Sequence, residues 1–225
     1  MLLIPGLWLG GSAWDAVLEP LEALGHRAVP LTLPGQGDGA GSATFDDQVA
    51  AVRAAVDELA GRPLVVGHSA ASTLAWMAAD ARPDKVGKVA LVGGFPGSAG
   101  RPYFDAFEPE DGFVRFPGWT EFEGPDVADL DEPMRQRIAS ATVPVPEAVV
   151  RGMVHLHDDR RFGVPVALIC PEFSASQARD WVGAGQIPEL AKARTVEYID
   201  IDSGHWPMFS QPAALAQVLA AVAEG

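Results

Sequence analysis

Short apolar runs alternate along the chain with longer stretches in which apolar residues recur at helical spacing. The runs are typical of buried strands because they are brief and bounded by proline or glycine. They lie at 2–4, 28–33, 64–66, 89–92, 164–169 and 196–199. The helical stretches lie at about 12–24, 44–59, 70–81, 134–141, 147–157 and 212–223. Strands that alternate with helices form a parallel sheet, so the pattern predicts an α/β fold with a mostly parallel sheet flanked by helices on both faces.

Two prolines and one helix start refine these elements. Pro30 interrupts the second strand, and because proline donates no backbone hydrogen bond, we expect that strand to be short or at the edge of the sheet. Pro20 lies inside the first helical stretch, where it predicts a kink or a break. Thr44 followed by Asp47 is typical of a capping box and predicts the start of the second helix.

The sequence changes character between residues 95 and 163, which are rich in proline, phenylalanine and acidic residues. The alternation of strands and helices stops before this segment and resumes after it. We therefore divide the chain into an α/β core of residues 1–94 and 164–225 and a cap or lid insertion of residues 95–163. Ligands bind at the carboxyl edge of such sheets, so we expect the insertion to cover a substrate there. The alternative is a satellite apolar cluster.

Charge and cysteine content exclude several classes of protein. The chain carries 16 basic and 30 acidic residues, a net charge of −14. Nucleic acids and anionic membranes need a basic surface, so neither is an expected partner. The single cysteine allows no intramolecular disulfide, and no cysteine–histidine spacing predicts a metal site. We expect a cytoplasmic protein, because the N-terminal apolar residues stop at Pro5 without a basic segment and no apolar run approaches the roughly 18 residues of a membrane span.

The strongest chemical signal is Gly67-His68-Ser69-Ala70-Ala71, between a predicted strand and a predicted helix. A nucleophilic serine needs a sharp turn that lifts its hydroxyl above the sheet, with small residues two before and two after it. Gly67 and Ala71 meet that requirement. The helix that follows would direct its N-terminus at a developing negative charge. The alternative is that Ser69 caps this helix and has no chemical role.

Two further segments fit a nucleophilic serine. His205 follows the last strand, and from that loop it can reach Ser69 and take its hydroxyl proton as a general base. The alternative is a surface-loop histidine without a partner. Leu7 lies in the turn after the first strand, and its backbone N–H together with that of Ala70 would form an oxyanion hole. An ordinary turn is the alternative there.

With these segments in this order, the chain resembles the α/β-hydrolase superfamily over essentially its whole length. The resemblance rests on the turn after the first strand, the Pro34-Gly35-Gln36-Gly37 loop, the serine turn, the mid-chain insertion and the Gly-His-Trp-Pro segment near the C-terminus. It implies a serine nucleophile at Ser69, a histidine base at His205, an acid that orients the histidine, and a cap over the substrate.

The sequence departs from the family pattern at three places. Ala71 replaces a glycine of the serine turn, and Pro5 replaces the usual histidine before Gly6. The third departure is the acid, because the expected aspartate position holds Ser174. Glu172, two residues earlier in the same loop, is the leading candidate for the orienting acid, whereas Asp202 is too near His205 in sequence. The alternative is a serine–histidine dyad in which Ser174 caps the next helix and Glu172 is a surface carboxylate.

These residues favour a serine hydrolase that cleaves an ester, thioester or lactone of a small apolar compound through an acyl-enzyme on Ser69, without a cofactor. The alternative is a non-hydrolytic enzyme of the same fold, a lyase, cyclase or decarboxylase, that uses Ser69 and His205 for proton transfer. The intact Ser69 and His205 argue against a binding module that has lost catalysis. The spacing of the glycines after the first strand does not match the dinucleotide-binding motif, which argues against a dinucleotide site. The expected partner is a small-molecule substrate, and no oligomeric state is predicted. Candidate apolar walls of its pocket are Trp8, Phe95, Phe104, Trp119 and Trp206.

Overall fold

A six-stranded parallel sheet runs through the centre of the computed structural model, which describes all residues from Met1 to Gly225. The strands are β1 (Leu2–Ile4), β2 (Val29–Pro30), β3 (Leu64–His68), β4 (Lys88–Val92), β5 (Phe113–Val114), β6 (Val145–Pro146), β7 (Val166–Cys170) and β8 (Val196–Asp200). The order across the sheet is β2-β1-β3-β4-β7-β8, and every neighbouring pair is parallel. β5 and β6 form a separate antiparallel ribbon. The predicted α/β fold with a mostly parallel sheet is confirmed.

Helices cover both faces of this sheet. They are α1 (Asp15–Ala23), α2 (Phe45–Glu58), α3 (Ser72–Ala81), α4 (Glu132–Ala141), α5 (Glu147–Val150), α6 (Ala175–Gly183), α7 (Pro188–Lys192), α8 (Pro207–Ser210) and α9 (Pro212–Glu224). Side chains alternate along a strand, so neighbouring residues enter different cores. Val65 and Leu91 pack in a cluster with α2, α3 and α6, whereas Val66 and Val92 pack with α1 and α9.

The two prolines behave differently from one another. β2 is a short strand at the edge of the sheet, as Pro30 predicts. Pro20, by contrast, lies inside α1 and does not break it, so of the two predicted outcomes the break is wrong. An interior proline costs a helix about 3 kcal/mol. Val17 and Leu21 of α1 are fully buried, and burial of two such side chains at about 1.5–3 kcal/mol each offsets that cost.

The helix predicted over 147–157 ends at Val150, because the chain beyond it pairs with another segment. Gly152 packs so closely on Phe45 that a Cβ would overlap the phenylalanine side chain. The Gly152 carbonyl accepts a 2.7 Å hydrogen bond from the Tyr103 amide, and the Val154 amide donates to the Arg101 carbonyl. This long-range pairing replaces helical hydrogen bonds that the local sequence favours.

Residues 95–163, called the cap segment below, lie between β4 and β7 and contain the small ribbon together with α4 and α5. Two backbone hydrogen bonds join this segment to loops at the carboxyl edge of the large sheet. The Val143 amide donates to the Trp8 carbonyl at 2.9 Å, and the His205 amide donates to the Asp126 carbonyl at 2.8 Å. The cap segment is therefore bound at the edge where the chemically interesting residues lie.

A buried charge network holds α3 to the segments that precede β7 and β8. The Arg161 guanidinium lies 3.2 Å from Asp80 Oδ1 and 3.0 Å from Glu189 Oε2, and all three side chains are buried. Glu189 also accepts a hydrogen bond from the Trp76 indole, and Asp80 accepts from the His157 and Asp158 amides. Each charge in this network therefore has a partner, as burial requires.

Replacing Arg161 by alanine is expected to lower the free energy of unfolding by about 3–5 kcal/mol, because Asp80 and Glu189 would stay buried without their cation. Guanidinium chloride unfolding followed by tryptophan fluorescence measures the change. Arg160 is the matched control, since it also contacts carboxylates but its side chain is 63% exposed. Arg160→Ala is expected to leave the midpoint nearly unchanged. An equal decrease in the free energy of unfolding in the two variants would contradict the role assigned to the buried network.

Candidate active site

Ser69 lies in a sharp turn between β3 and α3. Its φ is 54°, a left-handed conformation that is uncommon for a residue with a side chain. A Cβ at Gly67 would overlap the Ala71 carbonyl oxygen, so the turn can form only with glycine two residues before the serine. Ser69 lies inside the short 3-10 turn Ser69–Ala71, not at its N-cap position. The structure thus supports the interpretation of this segment as a nucleophile turn over its interpretation as a helix cap.

His205 meets Ser69 although 136 residues separate them in the chain. The loop after β8 brings His205 Nε2 to 2.9 Å from Ser69 Oγ. The imidazole side chain is 13% exposed and does not project into solvent, so the surface-loop alternative does not describe it. A histidine at this distance can accept the hydroxyl proton of the serine.

Glu172 reaches the other side of the same imidazole. Its Oε1 lies 2.8 Å from His205 Nδ1, and its side chain is 14% exposed. Ser174 caps α6 in a capping box with Gln177, as the alternative predicted, but this does not release Glu172 to the surface. Asp202 is exposed. Glu172 therefore makes the contact with His205, although the family's usual acid position holds Ser174.

Room for this contact comes from the end of β4. A Cβ on Gly93 would lie 3.2 Å from both Glu172 Oε2 and His205 Nδ1, and Gly93 has a φ of 58°. A side chain at position 93 would therefore press against both the Glu172 carboxylate and the His205 ring. Gly93 therefore leaves space for a carboxylate from the loop after the neighbouring strand β7.

The protons in this line follow from the chemistry of the three groups. An ionised carboxylate only accepts hydrogen bonds, so His205 Nδ1–H donates to Glu172. A neutral imidazole then has a lone pair on Nε2, which accepts from the Ser69 hydroxyl. This tautomer is the one a general base needs to remove a serine proton.

The backbone of His205 is held as firmly as its ring. Its amide donates to the Asp126 carbonyl of the cap segment at 2.8 Å, and its carbonyl accepts from His68 Nε2 at 2.7 Å. A Cβ on Gly204 would overlap the Asp126 carbonyl oxygen and lie 2.5 Å from Asp129 Oδ1. The glycine before His205 therefore lets the cap segment and the histidine loop come into contact.

The turn after β1 packs directly on the serine turn. A Cβ on Gly6 would lie 2.7 Å from His68 Nδ1 and 3.2 Å from Ser69 Cβ, so a larger residue does not fit. This contact brings the Leu7 peptide to Ser69, and both residues line one cavity. The Leu7 and Ala70 amides donate to no backbone carbonyl in the turns and loops of the chain. They remain the predicted donors to an oxyanion.

Side chains from two other segments fix the shape of this turn. Gln36 is fully buried, and its amide donates to the Gly6 and Leu9 carbonyls at 3.0 Å each. Trp8 has a φ of 67°, and its indole N–H donates to the Val114 carbonyl of the cap segment. Unusual backbone conformations persist only where surrounding contacts hold them, and they cluster at functional sites.

Comparison with known proteins agrees with this geometry. Residues 1–218 match the alpha/beta hydrolase family. The chain belongs to that family. The predicted membership and an enzyme of this type are thereby confirmed.

The fold of this hydrolase is shared by solved structures of low sequence identity. An extracellular alpha/beta-hydrolase from a Paenibacillus species is 15% identical with a TM-score of 0.78, covering 100% of this chain and 98% of that one. A methylesterase from Arabidopsis is 17% identical with a TM-score of 0.75, covering 99% and 98%. A pyrethroid hydrolase from Sphingobium faniae is 20% identical with a TM-score of 0.72, covering 100% and 96%. No curated protein matches by sequence.

None of the helices combines the length and hydrophobicity that a membrane crossing requires.

A small cavity of about 50 Å³ opens above Ser69. Apart from Ser69 and two histidines, its walls are apolar and come from the turn after β1, the histidine loop and the cap segment. They are Leu7, Trp8, Phe104, Phe107, Phe122 and Trp206. Trp8, Phe104 and Trp206 thus lie where the sequence predicts them, whereas Phe107 and Phe122 were missed. Their signal was the density of phenylalanine in the insertion, but no local pattern shows which rings face inward.

Phe95 and Trp119 lie outside this cavity, which corrects the sequence-based expectation. Phe95 stacks on Phe173 with ring centroids 5.2 Å apart. Trp119 packs edge-on against Trp206 at 5.2 Å, and its indole donates to the Arg135 carbonyl. Phe95 therefore packs against the residue that follows Glu172, and Trp119 packs against a wall of the cavity.

Burial shifts the pKa of two titratable groups near His205. Burial lowers the pKa of His68 to about 3, and the adjacent His205 adds to the effect, so His68 is neutral at physiological pH. Burial also raises the pKa of the Asp126 carboxyl, and this effect outweighs the opposing effect of His205. A neutral neighbour leaves His205 free to accept a proton without repulsion from a second imidazolium.

Replacing Gly6 by alanine is expected to lower kcat for a p-nitrophenyl ester by on the order of 10²–10³, because the new methyl group displaces the turn that carries the Leu7 amide. Gly10 is the matched control in the same turn, since a methyl group added there would lie 3.6 Å from its nearest neighbour. Gly10→Ala is expected to keep the wild-type rate. If both substitutions had the same effect on a folded protein, the turn would not act through Leu7.

Proposed function

We propose that this hydrolase cleaves an ester, thioester or lactone of a small, neutral, apolar compound through an acyl-enzyme on Ser69. The observation that carries the proposal is the unbroken line from Ser69 Oγ to His205 to Glu172, with contacts of 2.9 Å and 2.8 Å. Such a line is the arrangement that activates a serine hydroxyl as a nucleophile.

The first half of the reaction forms the acyl-enzyme. Ser69 Oγ attacks the carbonyl carbon while His205 Nε2 takes the hydroxyl proton. The tetrahedral oxyanion accepts hydrogen bonds from the Leu7 and Ala70 amides. His205 then gives its proton to the leaving oxygen or sulfur, which departs as an alcohol or thiol. Glu172 stabilises the imidazolium while the proton is on the ring.

The second half repeats these roles with water. His205 Nε2 removes a proton from a water molecule, whose oxygen attacks the acyl carbon. Collapse of the second tetrahedral intermediate releases the carboxylic acid, and His205 returns its proton to Ser69 Oγ. Every proton transfer passes through Nε2, so no cofactor is needed for this sequence of steps.

The cavity supports a neutral, apolar substrate. Its walls contain no lysine, arginine, aspartate or glutamate, so a charged group would be buried there without a partner. The net charge of −14 also repels anionic substrates at long range. The structural relatives include one protein named as a methylesterase and another named as a pyrethroid hydrolase. We infer that the cap segment is the cover of the substrate.

A non-hydrolytic reaction is the second candidate that the sequence left open. The serine at position 174 favours this reaction class on sequence grounds, because a weakly oriented histidine suits some proton-transfer reactions. The contact between Glu172 and His205 removes that support. No other feature of the cavity favours it over hydrolysis.

The test is the hydrolysis of short p-nitrophenyl esters by the wild type and two carboxylate variants. Glu172→Gln is expected to lower kcat by on the order of 10²–10⁴, because the amide no longer fixes the Nδ1–H tautomer of His205 or stabilises its positive charge. Asp202→Asn is the matched control and is expected to keep the wild-type rate, since Asp202 is exposed. Ser69→Ala is expected to abolish turnover above the uncatalysed rate.

Three results would overturn the proposal. One is a folded wild type that hydrolyses none of a panel of short p-nitrophenyl esters, thioesters and lactones. Another is full activity in Ser69→Ala. The third is an equal effect of Glu172→Gln and Asp202→Asn, which would remove the specific role assigned to Glu172.

A further inference from the structure

His68 is a buried polar residue that the proposed reaction does not use. Its side chain is 1% exposed, lines the cavity and lies beside His205, with ring centroids 5.0 Å apart. Its Nε2 lies 2.7 Å from the His205 carbonyl oxygen. A carbonyl oxygen only accepts, so Nε2 carries the hydrogen and donates it.

The surroundings of the other ring nitrogen, Nδ1, indicate that it carries no hydrogen. Nδ1 has no hydrogen-bond partner and faces Gly6, where a Cβ would approach it to 2.7 Å. A hydrogen on Nδ1 would be buried against this backbone without an acceptor, at a cost. His68 is therefore a neutral ring with one donor, and that donor is used on His205.

We propose that His68 is a positioning residue that holds the His205 backbone so that Nε2 of the base stays in reach of Ser69. His68 and Ser69 are consecutive, so the nucleophile and the donor that anchors its base share one short, rigid piece of backbone. Two contacts then fix His205 relative to this backbone. One joins its Nε2 to Ser69 Oγ, and the other joins its carbonyl oxygen to His68 Nε2. The inference rests on the proposed function of Ser69 and His205.

A hydrogen bond and simple space filling make different demands on this position. Leucine fills a similar volume but leaves the His205 carbonyl without its donor. Glutamine places its side-chain Nε2 the same number of bonds from Cα as histidine Nε2, so it can donate to the same carbonyl. If His68 acts through its hydrogen bond, glutamine restores what leucine removes; if it acts through packing, leucine is the better substitute.

The experiment compares His68→Leu, His68→Gln and Ser72→Ala with the wild type on a p-nitrophenyl ester. His68→Leu is expected to lower kcat about 10- to 100-fold with KM within about threefold, because a misplaced base affects the transition state more than substrate binding. His68→Gln is expected to recover kcat to within about fivefold of wild type. Ser72→Ala removes a buried hydrogen bond to the Gly67 carbonyl without touching His205, and it controls for loss of stability.

A second readout is independent of turnover. Long-range ¹H–¹⁵N spectra of the histidine rings report whether His205 keeps its Nδ1–H tautomer. The His205 signals are expected to broaden or shift in His68→Leu and to stay near wild type in His68→Gln and Ser72→Ala. An unperturbed His205 in a folded His68→Leu protein, or full activity of that variant, would overturn the positioning role. A wild type without esterase activity but with a displaced His205 in His68→Leu would overturn the proposed function alone.

Discussion

The strained backbone of Ser69 is the constraint on which the rest of the site depends. A non-glycine residue at a φ of 54° costs about 1–3 kcal/mol, and the surroundings must hold it there. Three strand ends do so by close approach. A Cβ at Gly67 or Gly94 would overlap the turn, and one at Gly6 would crowd Ser69 itself. The hydroxyl is thus raised at the sheet edge by backbone packing that excludes side chains, and the turn after β1 is brought to it by the same packing.

His205 lies in a loop, yet all four of its polar atoms have partners. The ring contacts Ser69 and Glu172, and the backbone contacts His68 and Asp126. One of these anchors belongs to the cap segment, which also bonds Trp8 in the turn after β1. The cap segment therefore helps to hold the proposed base, in addition to its proposed role as a cover. A cavity of about 50 Å³ beneath it admits little more than a small acyl group without movement of its rings.

The sequence predicts those features that are encoded locally. The parallel sheet follows from apolar runs, and Ser69 follows from small residues at fixed spacing in a strand-to-helix turn. Glu172 could be proposed because the family resemblance implies an acid in the loop after the next-to-last strand, although its contact with His205 depends on the space left by Gly93. The inward-facing rings, the short α5 and the outward position of Phe95 could not be predicted, because they are decided by partners distant in sequence. Long-range packing overrides local propensity at such positions.

The proposed function depends on the activation of Ser69 as a nucleophile. Its most direct test is reaction with a fluorophosphonate, followed by intact-mass measurement and peptide mapping, on the wild type and a folded Ser69→Ala variant. We predict one adduct per wild-type chain, located on Ser69, and none on the variant. A folded wild type that stays unmodified, or an adduct that persists after Ser69→Ala, would contradict the claim.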